Sequence, residues 1–106
     1  MMENLSNTFR ILGVEARLRI ITLLLKSSPL CVNAITDRLD ISQSAVSQHL
    51  RVLKMAGWVK GEKKGYWVHY SVNRKKVKEL RRAVENLTGL RGEKRCRLSD
   101  KVKRKK

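Results

Sequence analysis

Ser42, Gln43, Ser44, Ser47, Gln48 and Arg51 bring a dense set of hydrogen-bonding side chains into ten consecutive residues. Glutamine pairs bidentately with adenine, arginine with guanine, and serine with a base or a phosphate. Ser42 also suits the N-cap of a helix, whose first backbone N–H groups seat a phosphate. Further on, Lys63 and Lys64 precede Gly65 at the tip of a β-ribbon pattern, where they suit phosphates, and Tyr66 would flank a nucleic-acid backbone. The chemistry expected of this set is the reading of double-stranded DNA. The plainer reading is a solvated helix face beside a hairpin that only covers the core. No Ser/His/Asp, Cys/His or paired-carboxylate arrangement and no Gly-rich phosphate loop stands out, so the residues do not suggest an enzyme.

The elements that must position these residues follow from apolar spacing. Leu5, Phe9 and Leu12 predict a short helix ended by Gly13. Residues 15–26 predict a second helix, with Leu18, Ile21, Leu24 and Leu25 on its apolar face and Ile20 and Leu23 widening it. Ser27, Ser28 and Pro29 close it. Ile35 and Leu39 predict a helix over 33–39, and Asp40, Ile41 and Ser42 form a turn. The next helix spans 43–56, with Val46, Leu50 and Leu53 on one face and Gly57 as its stop. The period then changes to two. Residues 58–60 and 66–72 predict two strands joined by a turn at 62–65. A last helix over 74–87 carries Val77, Leu80, Val84 and Leu87 on one stripe. The expected fold is mainly α with a β-hairpin wing, a winged helix-turn-helix in the order ααααββα, forming a homodimer. Residues 1–90 make the DNA-binding and dimerisation domain. Residues 91–106 hold nine Lys/Arg against two acids and predict a basic, disordered tail. That tail either solubilises the chain or adds phosphate contacts beyond the wing.

Composition points the same way. The 106 residues carry 25 Lys+Arg against 9 Asp+Glu, a net charge of +16, and the pI is about 10.7. Such a balance favours polyanionic partners. The longest apolar run, residues 20–25, includes Thr22 and falls far short of a membrane span. The N-terminus lacks a secretory pattern, and a cytoplasmic location is expected. Two cysteines, Cys31 and Cys96, are too few for a secreted disulfide scaffold. A basic architectural or RNA-binding protein without effector sensing is the competing reading. A ratio of specific to random DNA affinity near one would favour it.

The segments FRILGVEARLRIITLL, LCVNAITDRLDISQSAVSQHLRVLKMAGWV and KKGYWVHYSV resemble the ArsR/SmtB family of bacterial and archaeal repressors, over about residues 5–74. The resemblance implies a homodimer built by the first and last helices. It implies an autoregulatory repressor on an inverted-repeat operator, released by an effector. Many relatives carry Cys-Val-Cys at the start of the helix before the turn. Here the match is Cys31-Val32-Asn33, and a third family cysteine falls on Thr36. Asn is a poor replacement for a soft thiolate. The family's last-helix metal site uses Asp, His and Glu, whereas residues 74–90 offer Glu79 and Glu85 without His or Asp. His49 matches the family's SxHL pattern on this helix and reads as a packing or backbone-orienting residue rather than a ligand. No cofactor is required on this reading and no metal site is assigned. Cys31 and Cys96 are left as candidates for a thiol redox switch or a thiol-bound metalloid or metal. Arg95 and Arg97 flank Cys96 and favour its thiolate. The plainer reading is a small, partly buried Cys31 and an incidental Cys96.

Overall fold

The computed structural model describes residues 2–90. Five helices and three strands follow one another as α1 (Met2–Leu12), α2 (Glu15–Ser27), β1 (Leu30–Cys31), α3 (Val32–Leu39), α4 (Gln43–Met55), β2 (Val59–Lys64), β3 (Trp67–Val72) and α5 (Arg74–Thr88). The fold is a winged helix with one addition to the expected order. β1 lies on the outer edge of the sheet, whose strand order is β1-β3-β2, antiparallel throughout. Its two residues are too few to show a period-two pattern.

The core gathers where helices and sheet meet. Ile20 and Leu24 of α2, Ile35 of α3, Val46, Leu50 and Leu53 of α4, and Trp58 are fully buried side chains. Leu12, Ile21, Leu39, Val59 and Val72 complete the layer. The α2 face is rotated from the expected one. Ile20, Ile21 and Leu24 are buried, whereas Leu18 is exposed. Both arrangements satisfy a helical repeat, and α3 and the sheet select the Ile20–Leu24 side.

Arginines close two helix ends. Arg74 Nη2 donates to Leu25 O at 3.0 Å, and Arg19 Nη2 donates to Leu39 O at 3.0 Å, each meeting a last-turn carbonyl. Asn73 joins three elements. Its N–H donates to Trp58 O at 2.8 Å, its Nδ2 to Gly57 O at 3.0 Å, and its Oδ1 accepts from Lys76 N at 3.2 Å. This caps α5 and ties it to the end of α4 and the start of the wing.

The packing of α4 predicts an asymmetric response. Leu50→Ala should cost about 2–5 kcal/mol, because it removes a core side chain. Met55→Ala, on the exposed side of the same helix, should stay within about 0.5 kcal/mol. Urea unfolding at fixed protein concentration measures both. Equal costs would contradict this orientation of the helix.

Candidate nucleic-acid interface

Helix α4 begins at a defined cap. Ser42 has extended backbone angles, its Oγ accepts from Ala45 N at 3.1 Å, and its carbonyl accepts from Val46 N at 3.0 Å. The turn before it is short because Asp40 adopts a left-handed conformation, φ 56°, and returns its N–H to Thr36 O at 2.9 Å. Asp is among the few residues that tolerate this region. The turn brings α3 against α4 in helix-turn-helix proportions.

α4 then sorts its residues by pitch. Val46, Leu50 and Leu53 are buried, whereas Ser42, Gln43, Ser44, Ser47, Gln48 and Arg51 are exposed. Ser44, Ser47, Gln48 and Arg51 recur at three- and four-residue steps and share one face. His49 sits between the two stripes. Its Nδ1 accepts from Arg17 Nε at 3.3 Å, and Arg17 Nη1 also donates to Ile11 O at 3.1 Å. One guanidinium thus joins α1, α2 and α4.

The wing is longer and sharper than expected. β2 continues to Lys64, and the turn is only Gly65 and Tyr66, with φ +65° at Gly65. Tyr66 therefore belongs to the tip rather than to the return strand, and it is 98% exposed. The register pairs Lys63 with Val68 and Lys64 with Trp67. Within the ribbon, a side chain at Gly61 would meet Tyr70 Cε2 and Val68 Cγ1 at 3.0 Å, so the bare backbone lets those two side chains lie across the strand. Lys63, Lys64 and Tyr66 are brought together at the tip, with Trp67, 53% exposed, beside them. Trp67 was not singled out in the sequence; its signal was its place directly after the Lys-Lys-Gly-Tyr run.

The cysteines are placed unequally. Cys31 is a free, half-buried thiol at the end of β1 and the start of α3. Cys96 and the basic tail lie outside the described residues. Among the described residues, no group of three or more His, Cys, Asp or Glu side chains is arranged to hold a metal. No helix among them is long and apolar enough to cross a membrane.

A family profile described as "Bacterial regulatory protein, arsR family" matches residues 15–60. An uncharacterized HTH-type transcriptional regulator of Methanocaldococcus jannaschii is 38% identical over 85 residues, 80% of this chain and 96% of that protein. The chain belongs to the ArsR family. The arsenical resistance operon repressor of Escherichia coli is 42% identical over 65 residues, 61% of this chain and 56% of the repressor. In structure, an ArsR-like transcriptional regulator from Rhodococcus superposes with a TM-score of 0.73 at 25% identity, covering 93% of this chain and 90% of that one. This ArsR-family chain is a DNA-binding transcriptional regulator of the repressor type. The profile runs from α2 to the first residues of β2. The wing tip and α5 lie beyond it, in the part of an ArsR-family chain where its own residues must be read directly.

The two lysines of the tip make a measurable claim. Lys63→Ala and Lys64→Ala should each reduce the slope of log K against log salt by about 0.9 and weaken operator and random DNA alike. Arg51→Ala and Gln48→Ala should instead cost about 1–3 kcal/mol on the operator alone. Fluorescence anisotropy across a salt series reads both quantities. Identical behaviour of all four variants would remove the division between base readers and backbone holders.

Proposed function

We propose that two copies of this chain bind an inverted-repeat operator and repress transcription, their own operon included, until an effector releases them. The observation that carries this is the sorting of α4, whose Gln43, Ser44, Ser47, Gln48 and Arg51 face outward while its apolar stripe is locked in the core. Gln43, Ser44, Ser47, Gln48 and Arg51 read base edges in the major groove. The helix start at Ser42 seats a phosphate, and Lys63, Lys64 and Tyr66 hold the backbone beside it. A chromosomal partner implies a cytoplasmic location.

The dimer is supported by what α5 lacks. None of its residues is buried, and its stripe ends in Leu87, 49% exposed. Phe9 on α1 is exposed as well. An open groove of about 600 Å³ runs between the two helices, with Leu5, Ile11, Leu80 and Ala83 among its lining residues. A second copy would cover these apolar faces. Val84→Glu should therefore shift the chain toward monomer and weaken operator binding steeply, as sedimentation and anisotropy would measure. A monomeric wild type of full operator affinity would overturn the dimer.

The effector reading rests on Cys31 and Cys96. Cys31 stands where the helix-turn-helix begins, so a bond formed there acts on the reading head. Two relatives are named as arsenical resistance operon repressors, which agrees with a thiol-bound metalloid as the signal. A disulfide or persulfide bridge between the two cysteines is the redox form of the same idea, and it requires Cα atoms within about 7 Å.

The deciding experiment is anisotropy on the DNA upstream of the chain's own gene, with random DNA in competition. The protein is used reduced, oxidised, and with arsenite. Tight binding of the reduced protein is expected, with release on oxidation or arsenite. A specific-to-random ratio near one would favour a basic architectural or RNA-binding role instead. Tight specific binding indifferent to both treatments would remove the Cys31–Cys96 effector reading.

A further inference from the structure

The wing carries two aromatic side chains that the core does not use. Trp67 is 53% exposed and Tyr66 98% exposed, and neither is among the apolar side chains packed on the core, which takes Tyr70 and Val72 from β3. The register explains the division. Val59 opposite Val72 and Gly61 opposite Tyr70 share the face turned to the core, whereas Lys64 opposite Trp67 falls on the other face. Lys63 and Lys64 are exposed, and residues 63–67 hold no acid. A side chain added at Gly65 would meet nothing within 4 Å. Single exposed apolar side chains are ordinary on a surface. Two neighbouring rings on a narrow, open, cationic tip form a concentrated patch.

Cations and ring faces together fit a polyanion that also offers flat π-faces, which is nucleic acid. The place of the tip narrows the partner further. A phosphate backbone separates the major groove from the minor groove. With α4 in the major groove and Lys63 and Lys64 on that backbone, the end of the ribbon stands over the minor groove. That groove is about 6 Å wide, so a side chain enters more easily than the ribbon itself. Apolar side chains that enter it wedge between base pairs, partly unstack them and kink the duplex. Pyrimidine–purine steps yield most readily. Proteins that hold single strands line a groove that tracks the backbone, with rings for successive bases. Here both rings sit at one point, which fits a duplex opened at one step better than a single strand.

We propose that Trp67 is a wedge: its indole enters the minor groove beside the half-site and stacks on a base at a pyrimidine–purine step, with Tyr66 at the rim. This deepens the operator reading above and rests on its docking of α4 and the two lysines. It adds a second kind of selection. α4 tests hydrogen-bonding edges, whereas Trp67 tests how readily a base step unstacks, at a position where no edge is read. Trp67 is the wedge because its indole has the larger apolar face, whereas the Tyr66 hydroxyl suits a phosphate.

The test uses the full-length protein and duplexes of the DNA upstream of the chain's own gene, with a fluorescent adenine analogue placed at each adenine in turn. Trp58 is buried and Trp67 exposed, so the tryptophan emission open to acrylamide belongs to Trp67, and Trp67→Phe gives the Trp58 background. Duplex binding is expected to shield and quench that emission in the wild type, a readout that does not depend on how any variant folds. One analogue position per half-site should change its fluorescence. Trp67→Ala should abolish that change and weaken binding about fivefold or more. It should leave intact the salt slope that Lys64→Ala lowers. Replacing the responding step by a stiff A-tract step should weaken the wild type and leave Trp67→Ala unchanged. Emission still open to acrylamide in the complex, wild-type affinity in Trp67→Ala, or a lowered salt slope in that variant with no analogue response would overturn the wedge. Tighter binding of single strands than of duplex, with the same shielding, would overturn it in favour of a single-stranded partner. A specific-to-random ratio near one with Trp67 shielded removes the repressor reading alone. An intact ratio with Trp67 open to acrylamide removes the wedge alone.

Discussion

Helix α4 is held against rotation by Val46, Leu50 and Leu53, which fill the centre of the core beside Ile20, Ile35 and Trp58. Successive residues of a helix are about 100° apart, so a turn of one residue would move Leu50 toward solvent and carry Arg51 or His49 inward. Exposing one leucine costs about 1.5–3 kcal/mol. Burying an unpaired guanidinium costs several kcal/mol more. The apolar stripe thus decides which chemistry the helix offers a groove. The cap at Ser42 decides where along the chain that offer begins. The Arg17–His49 contact adds a polar constraint on the same rotation from the α2 side.

A second junction governs how the wing and α5 relate to that helix. Asn73 bonds the backbone at Gly57 and Trp58 while capping α5, and Lys76 lies over the Trp58 ring at 5.3 Å. The end of α4, the root of the wing and the start of α5 therefore meet around one buried indole. Displacing α5 from the wing root must break these bonds or carry Trp58 with it. β1 makes the corresponding link on the opposite edge of the sheet, where the first residue pair before α3 is laced to β3. The reading head is thus bounded on both sides by elements hydrogen-bonded to the wing or its root.

Most of the fold was legible in the sequence because its helices are marked twice, by period and by punctuation. Gln43 to Met55 shows both, with Ser42 before it and Gly57 after it, and its bounds fall within a residue of expectation. What was not legible depends on distance along the chain. β1 is two residues, and only β3, far along the chain, makes it a strand. Leu18 obeys the same repeat as its buried neighbours and is excluded only by where α3 and the sheet stand. Tyr66 continues the alternation of the return strand, but Gly65 tightens the turn to two residues and leaves Tyr66 at the tip. The exposed polar face of α4 was legible as a stripe of hydrogen-bonding residues at helical spacing. The opposition of Cys31 and His69 across β1 and β3 was not, since a strand register between remote segments leaves no local pattern.

The charge of the chain acts on a different term from the reading helix. With +16 overall and Arg81–Glu85 the one ion pair among the described residues, its cations are largely uncompensated within the molecule. Self-repulsion of this kind opposes compaction and is relieved by a polyanion. Phosphate contacts therefore stabilise the folded state as well as the complex, by an amount that grows as RT ln(1 + [L]/Kd). That contribution is indifferent to base sequence and weakens with salt. The polar stripe of α4 is uncharged apart from Arg51, so base discrimination by it, as proposed, would depend on hydrogen-bond geometry and much less on ionic strength. On the proposed reading, affinity and specificity reside in separable groups, and the core that fixes α4 is what would let a strongly basic chain discriminate.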